Sequence, residues 1–367
     1  MVKLIWDKNK HTSHLIKEQE KIYHQRFIKF ESFPNSNIDT QKLKNQENWE
    51  NLLFWGDNLE VLYYLLNNFE NKINLIYIDP PFFSGTNYPI KIEEDGDLYE
   101  TIAYIDHWDK DLDSYLQMIY ERLIIFKKLL VDSGLLFIHL DWHASHYIKL
   151  ILDEIFGENR FVNDIIWYYY NKYSAGKKNL PRAHDNILVY SKTNRYKLNE
   201  IRIPRKKPRK QLKRIMVNGI LKNLKDKNGH IVYRIVNDKK LDDVWKIPCL
   251  QPASKEWTGF PTQKHHELLK RIIQLGSNKG DLIADFFCGS GTTLFVADTL
   301  GRKWIGCDIS KYSIYLTRKR LFSYRRGLTH GGKSLHPIGI YTNLNNEYKE
   351  IINSGFFNRD ITIRRKK

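Results

Sequence analysis

The chain has 367 residues, and its 59 lysines and arginines outnumber its 42 aspartates and glutamates, so its formal net charge is +17. This charge suits a polyanionic partner better than an acidic small molecule, and a membrane surface is the other candidate. Because the sequence has no stretch of 18 apolar residues and no signal-like amino terminus, we expect a soluble intracellular protein.

Residues 1–48 are polar and charged, with a weak amphipathic helix pattern around Leu15 to Phe30, and are predicted to be an amino-terminal extension. The segment Asn51 to Asp57 then predicts a strand and a turn. A helix follows, and its apolar face comprises Leu59, Leu62, Leu65 and Leu66.

The next strand, Leu75 to Ile78, ends abruptly in Asp79-Pro80-Pro81-Phe82. Prolines donate no ladder hydrogen bond, so this sequence holds an acid and an aromatic ring at the carboxyl end of a strand, where open α/β sheets bind ligands. A stiff loop with a carboxylate, prolyl carbonyls and a ring suits a planar heterocycle that carries an amino group. On this motif alone, an ordinary strand-ending turn is equally well supported.

No clear period runs from Phe83 to Trp108, so the sequence predicts a mobile loop there, able to close over a ligand. Helix patterns follow at Tyr115 to Leu130 and Leu150 to Phe156. Three strand patterns accompany them: Gly134 to Leu140, Asp164 to Tyr168 and Asn186 to Tyr190.

A metal site is not favoured by the potential ligands in the sequence. His139, Asp141, His143 and His146 are grouped, but they follow a strand end without settled helical spacing and without a nearby cysteine. The three cysteines, Cys249, Cys288 and Cys307, are widely spaced and fit neither a zinc pattern nor a disulfide framework.

The composition changes between Arg205 and Arg214, where seven of ten residues are basic and Pro204 and Pro208 favour an extended chain. A run of this kind is usually solvated surface or a disordered tail. Beyond it, the helix pattern of Leu268 to Leu275 is expected to pack on the sheet.

A second motif begins at the strand Asp281 to Asp285 and continues as Phe286-Phe287-Cys288-Gly289-Ser290-Gly291-Thr292-Thr293 before a helical pattern. The glycines permit positive φ and a close approach to a ligand. The turn lacks the third small residue of a dinucleotide fingerprint and the Gly-Lys-Ser/Thr of a Walker loop. A third strand ends in Asp308, an acid placed to bind ribose hydroxyls, so the loops predict a pocket for a nucleoside without a pyrophosphate.

Asp79-Pro80-Pro81-Phe82 placed before Phe287-Cys288-Gly289-Ser290-Gly291 resembles the DNA amino-methyltransferases of the β class, in which the catalytic motif precedes the cofactor motif. The resemblance covers roughly residues 50–320. Many members have tyrosine where this chain has Phe82, so the stacking face is kept and a phenolic hydroxyl is lost.

The resemblance implies an α/β fold with a mostly parallel, seven-stranded, Rossmann-like methyltransferase sheet in permuted motif order. The expected divisions are an extension (1–48), a catalytic half (49–192), an inserted basic target-recognition segment (193–257), a cofactor-binding half (258–325) and a basic carboxyl-terminal tail (326–367). The strands at 164–168 and 186–190 would form an antiparallel pair at the sheet edge.

The resemblance also implies the cofactor, S-adenosylmethionine, with Asp57 near its adenine and Thr262-Gln263-Lys264 in a binding segment. The expected cofactor-binding residues are Asp57, Thr262, Gln263, Lys264, Asp285, Phe286, Phe287, Gly289, Gly291, Thr292 and Asp308. The expected catalytic residues are Asp79, Pro80, Pro81 and Phe82.

The implied reaction is methylation of the N6 amine of adenine in double-stranded DNA, after the base has flipped out of the duplex. The basic residues Arg205, Lys206, Lys207, Arg209, Lys210, Lys213 and Arg214 would follow the phosphate backbone. Methylation of cytosine N4, of RNA, or a non-catalytic DNA-binding role are the alternatives; serine before the two prolines is commoner in cytosine enzymes. A restriction endonuclease partner and a homodimer stay open, and the implied location is the prokaryotic cytoplasm.

Overall fold

The computed structural model describes residues 27–33, 49–94, 97–106, 112–172, 179–327, 336–343, 346–359 and 361–364. Its strands are β1 Phe27–Phe33, β2 Asn51–Trp55, β3 Ile73–Ile78, β4 Thr86–Glu94, β5 Asp97–Asp106, β6 Leu130–Leu140, β7 Phe161–Tyr168, β8 His184–Ser191, β9 Arg202–Leu212, β10 Arg214–Val217, β11 Ile220–Asn223, β12 Tyr233–Lys240, β13 Val244–Lys246, β14 Leu282–Asp285, β15 Lys303–Asp308, β16 Ile338–Asn343 and β17 Thr362–Arg364. Its helices are α1 Asn58–Phe69, α2 Leu112–Leu129, α3 Ser145–Phe156, α4 His266–Gly276, α5 Thr292–Thr299, α6 Lys311–Gly327 and α7 Asn346–Asn353. None of these described helices has both the length and the apolar character needed to cross a membrane.

In the described part of the chain, ten strands form one sheet in the order β1-β16-β2-β15-β14-β3-β6-β8-β7-β13. The seven predicted strands are all present and adjacent, as β2-β15-β14-β3-β6-β8-β7. Pairing is parallel from β16 to β6, and β8 runs antiparallel to both β6 and β7. The prediction of a mostly parallel α/β sheet is confirmed. The predicted number of seven strands is too low, because β1, β16 and β13 also belong to the sheet.

Alternation along β3 shows how the sheet separates two apolar layers. Leu75 and Tyr77 belong to the core on the face covered by α4, α5 and α6, whereas Ile76 and Ile78 belong to the core under α1, α2 and α3. Successive strand side chains point to opposite faces, so a strand covered on both sides is apolar at every position. The predicted helix from Leu268 to Leu275 does pack on the sheet, with Leu268, Leu269, Ile272 and Ile273 buried.

The predicted mobile loop at Phe83 to Trp108 is wrong for the described residues, because β4 and β5 pair antiparallel and β17 adds a third strand beside β4. Ile90 and Ile92 are buried, and charged residues stand between and after them. This is the two-residue period of a half-buried strand, which the acidic residues obscured. The weak helix pattern from Leu15 to Phe30 is also wrong where it can be compared, because Phe27 to Phe30 belong to the strand Phe27–Phe33. Residues 15–26 lie outside the described residues.

The two ends of the predicted domain division also contribute to the central sheet. β16, from the segment expected to be a tail, lies between β1 and β2. Within the segment expected to be inserted, β9 pairs with β12 and β10 with β11 in two small ribbons, whereas β13 pairs with β7 in the central sheet.

Candidate active site

A cavity of about 710 Å³ opens at the carboxyl ends of β2, β3, β14 and β15. Parallel strands bring the ends of sequence-distant segments to one edge of the sheet, which is why the predicted motifs meet here. Of the predicted site residues, the cavity is lined by Asp57, Asp79, Pro80, Pro81, Phe82, Thr262, Gln263, Lys264, Asp285, Phe286, Phe287, Gly289, Thr292 and Asp308.

The Gly-rich turn between β14 and α5 is held by the carboxylates at the ends of β14 and β15. Asp285 Oδ1 accepts from the Phe287 amide at 3.0 Å, and Asp308 accepts from the Gly289 amide at 2.8 Å and the Ser310 amide at 2.9 Å. Asp308 therefore shapes the turn, and it also lines the cavity.

Two buried carboxyl groups, those of Asp285 and Asp308, lie close together beside the Gly-rich turn. Burial raises the pKa of the Asp285 carboxyl to about 7; hydrogen bonds from Thr293 and Phe287 oppose this effect, and the nearby charges of Asp79 and Asp308 add to it. Burial also raises the pKa of Asp308, against hydrogen bonds from Ser310 and Gly289. A bound cation or several N–H or O–H donors would relieve this concentration of negative charge.

The two glycines of the turn have different surroundings. Gly289 lines the cavity with φ +49°, and a Cβ there would lie 3.3 Å from the Phe260 ring. Gly291 is the left-handed N-cap of α5 with φ +72°, and a Cβ there would lie 2.5 Å from Thr317 Oγ1 on α6. Gly291 is not among the residues that line the cavity, and its lack of a side chain makes room for the packing of α5 against α6.

Asp57 is both a helix cap and a cavity residue. Its Oδ1 accepts from the Leu59 amide at 2.8 Å at the start of α1, and its side chain remains 43% exposed. Arg122 of α2 approaches its Oδ2 at 3.7 Å and donates to Asn58 Oδ1 at 2.6 Å. Asn58 and Arg122 line the cavity without having been predicted. For Arg122 the available signal was an arginine in line with the apolar face of the predicted helix.

Among the described residues, the Asp79 carboxylate accepts a hydrogen bond on one oxygen only, and His139 Nδ1 lies 3.9 Å from the other, Oδ1, beyond hydrogen-bond distance. Lys264 donates to Asp79 Oδ2, whereas Oδ1 is buried and has no hydrogen-bond partner among the described residues. Lys264 also lies over the Phe82 ring, with Nζ 5.3 Å from the centroid. Lys264 therefore contacts the predicted catalytic loop, although the sequence placed it only in the expected cofactor-binding segment.

The loop that carries Lys264 is fixed largely by Gln263. Its Oε1 accepts from the Thr258 amide at 2.8 Å, and its Nε2 donates to the Glu256 carbonyl at 2.7 Å. Thr262, just before it, has φ +62°. A side chain held in the left-handed region is sustained only by a well-determined surrounding, so this loop presents Lys264 from a constrained backbone.

Behind Asp79 runs a buried hydrogen-bond chain. The Tyr77 hydroxyl lies 3.0 Å from His139 Nδ1, His139 Nε2 lies 3.2 Å from Asp185 Oδ2, and Tyr169 donates to Asp185 Oδ1 at 3.1 Å. Burial, with the charge of Asp79 next, raises the pKa of Tyr77, so its hydroxyl stays protonated. Burial alone would raise the pKa of Asp185, but the hydrogen bond and charge of His139 bring it below its usual value.

Hydrogen bonds also account for two of the three histidines that the sequence grouped. His139 is used by Tyr77 and Asp185, and His143 Nδ1 lies 2.7 Å from Asp141 Oδ2. Elsewhere in the described residues, Glu256, His265 and His266 have ligand atoms within 4.8 Å of one another, with Glu256 already hydrogen-bonded to His266.

The predicted phosphate-binding run lies outside the cavity. Its seven basic residues lie from β9 to the start of β10, and all of them but Arg205 are exposed. Arg205 is half-buried and donates to the Asp238 carbonyl of β12 at 2.8 Å. The run therefore presents six exposed cations on ribbons separate from the central sheet.

Comparison with known proteins places this site in a family. The DNA methylase family matches residues 73–319. The type II methyltransferase M.EcaI of Enterobacter cloacae is 30% identical over 348 residues, covering 80% of this chain and 72% of the relative. The DNA adenine methyltransferase YhdJ of Escherichia coli K12 is 28% identical over 253 residues, covering 68% of this chain and 76% of the relative.

A longer relative is the StyLTI Mod subunit of a type III restriction-modification enzyme from Salmonella typhimurium. It is 29% identical over 355 residues, covering 75% of this chain but only 54% of the relative, so this chain matches about half of that protein. The family match spans both the catalytic and the Gly-rich motifs that meet in the cavity. The chain therefore belongs to the DNA methylase family and is an S-adenosylmethionine-dependent DNA methyltransferase.

Proposed function

We propose that this protein transfers a methyl group to the N6 amine of adenine in a specific DNA site, with Asp79, Pro80 and Phe82 holding the base. The observation that carries the proposal is Asp79 Oδ1, which is buried in the wall of the cavity and accepts no hydrogen bond from any described residue. A buried carboxylate oxygen without a partner is costly, and an amine N–H donor would satisfy it.

An aryl amine is a weak nucleophile because its lone pair is delocalised into the ring. If Asp79 Oδ1 and the Pro80 carbonyl each accept one amine hydrogen, the nitrogen becomes more pyramidal and its lone pair is directed at the incoming methyl group. Asp79 also offsets the positive charge that develops on nitrogen during transfer. The Phe82 ring orients the base by stacking on it.

Lys264 is proposed to hold the Asp79 carboxylate in position for the substrate. Its ammonium group donates to Asp79 Oδ2 and lies 5.3 Å from the centroid of the Phe82 ring. Because Lys264 uses Oδ2, Oδ1 is left for the base. Lys264 then holds Asp79 in position while the base binds.

The residues around the Gly-rich turn fit S-adenosylmethionine, which when bound supplies an electrophilic methyl group. Buried Asp285 and Asp308 favour a ligand that carries positive charge and hydroxyl donors, and Gly289 has no side chain to obstruct it. Asp57, at 43% exposure, can accept from the amine of the cofactor's adenine.

Adenine is favoured over cytosine by the acid in the catalytic motif, since the cytosine-N4 enzymes more often have serine before the two prolines. The name of YhdJ, an adenine methyltransferase, agrees with this choice. The target must leave the duplex, because its amine is otherwise paired and cannot reach a recessed donor.

The exposed cations of β9 and β10 are proposed to contact DNA phosphates and so contribute affinity rather than sequence choice. The restriction-modification enzyme among the relatives supports a nuclease partner, and a homodimer is a further proposal. A chromosomal substrate puts the reaction in the cytoplasm of a prokaryotic cell.

The direct test is to incubate the purified protein with S-adenosylmethionine deuterated in its methyl group and either unmethylated genomic DNA or, separately, total RNA, and to analyse the nucleosides by mass spectrometry. We expect deuterated N6-methyladenine. Deuterated N4-methylcytosine alone would contradict the choice of base, and label in RNA but not in DNA would contradict the choice of nucleic acid.

A further inference from the structure

A row of exposed aromatic side chains, each beside a cation, continues the edge of the sheet on which Asp79 lies. We call Trp142, Tyr168, Tyr170, Arg182 and Lys246 the aromatic ridge. The three rings are 45%, 39% and 45% exposed, in that order. Arg182 lies 3.8 Å from the centroid of Trp142, and Lys246 lies 4.7 Å from that of Tyr170.

The strand register places the ridge on the catalytic edge. Trp142 follows β6, which runs parallel to β3 and ends beside it. Tyr168 ends β7, and its register partners are His184 at the start of antiparallel β8 and Lys246 at the end of parallel β13. Strands lie about 4.8 Å apart, so the ridge extends to about 20 Å from β3.

The ridge is built on a rigid base that contacts the candidate active site. Trp167 and Tyr169 alternate with the exposed tyrosines and are buried. Trp167 donates to the Ile247 carbonyl at 2.9 Å, and its ring lies 5.3 Å from that of His139. The His139 ring in turn lies 5.8 Å from that of Phe82. The exposed rings are therefore fixed in position relative to the catalytic loop.

The acids near the ridge are already hydrogen-bonded within the protein. Asp141 is bonded to His143, and Asp185 to His139 and Tyr169. The cations Arg182 and Lys246 are exposed and lie over rings, a contact that leaves their N–H donors available. A positive surface of exposed rings complements a nucleic acid strand whose bases are open to stacking.

We propose that the aromatic ridge binds the DNA strand beside the target adenine, its rings stacking on bases that lose a neighbour when the target leaves the duplex. Arg182 and Lys246 contact the phosphates of the same strand. This inference rests on the proposed function in one respect, that the target base enters the cavity beside Asp79. The ridge is distinct from the β9 run, because it recognises unstacked bases and not only phosphates.

The test compares variants on two fluorescent probes, a 20-nucleotide single strand of mixed sequence and the duplex of the same sequence. The Trp142→Ala/Tyr170→Ala variant should bind the single strand about 10-fold or more weakly, since each stack that is removed costs several-fold. Its loss on the duplex should be smaller and its salt dependence unchanged. Trp142→Phe should retain most of the affinity, because phenylalanine keeps a stacking face.

Tyr196→Ala is the matched control, because Tyr196 is also exposed but follows β8, whose carboxyl end lies at the opposite edge of the sheet. Binding of S-adenosylmethionine by each variant verifies that it is folded. If the double variant binds the single strand as tightly as Tyr196→Ala does, the ridge is not a stacking surface. Equal losses on both probes would also overturn the proposal.

The ridge and the proposed function can fail separately. A parent protein that makes no N6-methyladenine, together with a double variant that loses single-strand affinity, would reject the reaction but keep the ridge. Normal methylation by a double variant whose single-strand affinity is unchanged would keep the reaction and reject the ridge.

Discussion

The Asp79–Lys264 pair shows what a sequence can and cannot reveal about a single residue. Asp79 could be placed at a strand end because the apolar run and the prolines are local. Its partner lies 185 positions away, and no local pattern encodes a contact of that range. From sequence, Lys264 could be assigned only to cofactor binding, the expected role of the segment that contains it. The structure instead pairs it with Asp79 of the catalytic motif.

Lys264→Met tests this pairing. The change keeps an apolar stem of similar length but removes the ammonium that holds Asp79, so kcat should fall by about 10-fold or more while the affinity for S-adenosylmethionine changes little. Steady-state kinetics and calorimetric titration measure the two quantities. Weaker cofactor binding with unchanged kcat would return Lys264 to a role in cofactor binding.

Phe82 offers a test of stacking, since this chain has phenylalanine where many family members have tyrosine. Phe82→Tyr keeps the ring face and should have a mild effect. Phe82→Ala should cost about 1–3 kcal/mol in binding of the flipped base, measured with a duplex that carries a mismatch at the target position. Equal affinity of the alanine and tyrosine variants would exclude stacking on this ring.

Asp285 makes cofactor binding depend on pH. Its carboxyl has a pKa of about 7, raised by burial, so it is mostly protonated below that pH and mostly charged above it. A bound cation favours the charged form, so S-adenosylmethionine should bind more tightly as the pH rises through about 7 and should release a proton on binding. Calorimetry in two buffers of different ionisation enthalpy measures the proton, and Asp285→Asn should abolish the difference. A parent protein without buffer dependence would contradict this role.

At the scale of elements, the β4–β5 hairpin shows where sequence periodicity was insufficient. Ile90 and Ile92 alternate with charged residues, but the acids after them resembled a loop. β4 pairs along its length with its neighbour β5, and only the shorter pairing with β17 joins it to a distant segment, which a local pattern does not contain. By contrast, β3, β6 and β14 are covered on both faces and so have continuous apolar runs that identify them.

The β9 ribbon carries a prediction of its own. Replacing Lys206, Lys207, Arg209 and Lys210 with alanine should weaken binding to all duplexes alike, because phosphate contacts carry no sequence information. The dependence of log affinity on log salt should flatten by about 0.9 for each phosphate that the variant no longer neutralises. Sequence preference should survive. An unchanged slope with weaker binding of the cognate duplex alone would mean that the ribbon reads bases.

For the whole molecule, most of the sheet could be predicted because the seven central strands each carry a local signal. The added strands β1, β16 and β13 could not, since they are short or lie in polar segments and exist through pairing with partners far along the chain. The candidate site was predictable to the extent that the carboxyl ends of parallel strands converge. The hydrogen bonds among its side chains were not, because they depend on three-dimensional packing.

The fold also divides the proposed work between two halves joined at β3 and β14, which pair in the middle of the sheet. The Gly-rich turn after β14 would hold the cofactor, and the loop after β3 would hold the base. A change confined to the loop after β3 should therefore abolish methyl transfer without abolishing cofactor binding at the turn after β14.

Asp79→Ala tests this account most directly, in a single-turnover methylation assay combined with separate titrations of S-adenosylmethionine and DNA. We expect methyl transfer to fall below detection while both affinities stay within a few-fold of the parent, because the contacts of Asp79 matter most in the transition state. Substantial N6-methyladenine formation by the folded variant would contradict the central claim.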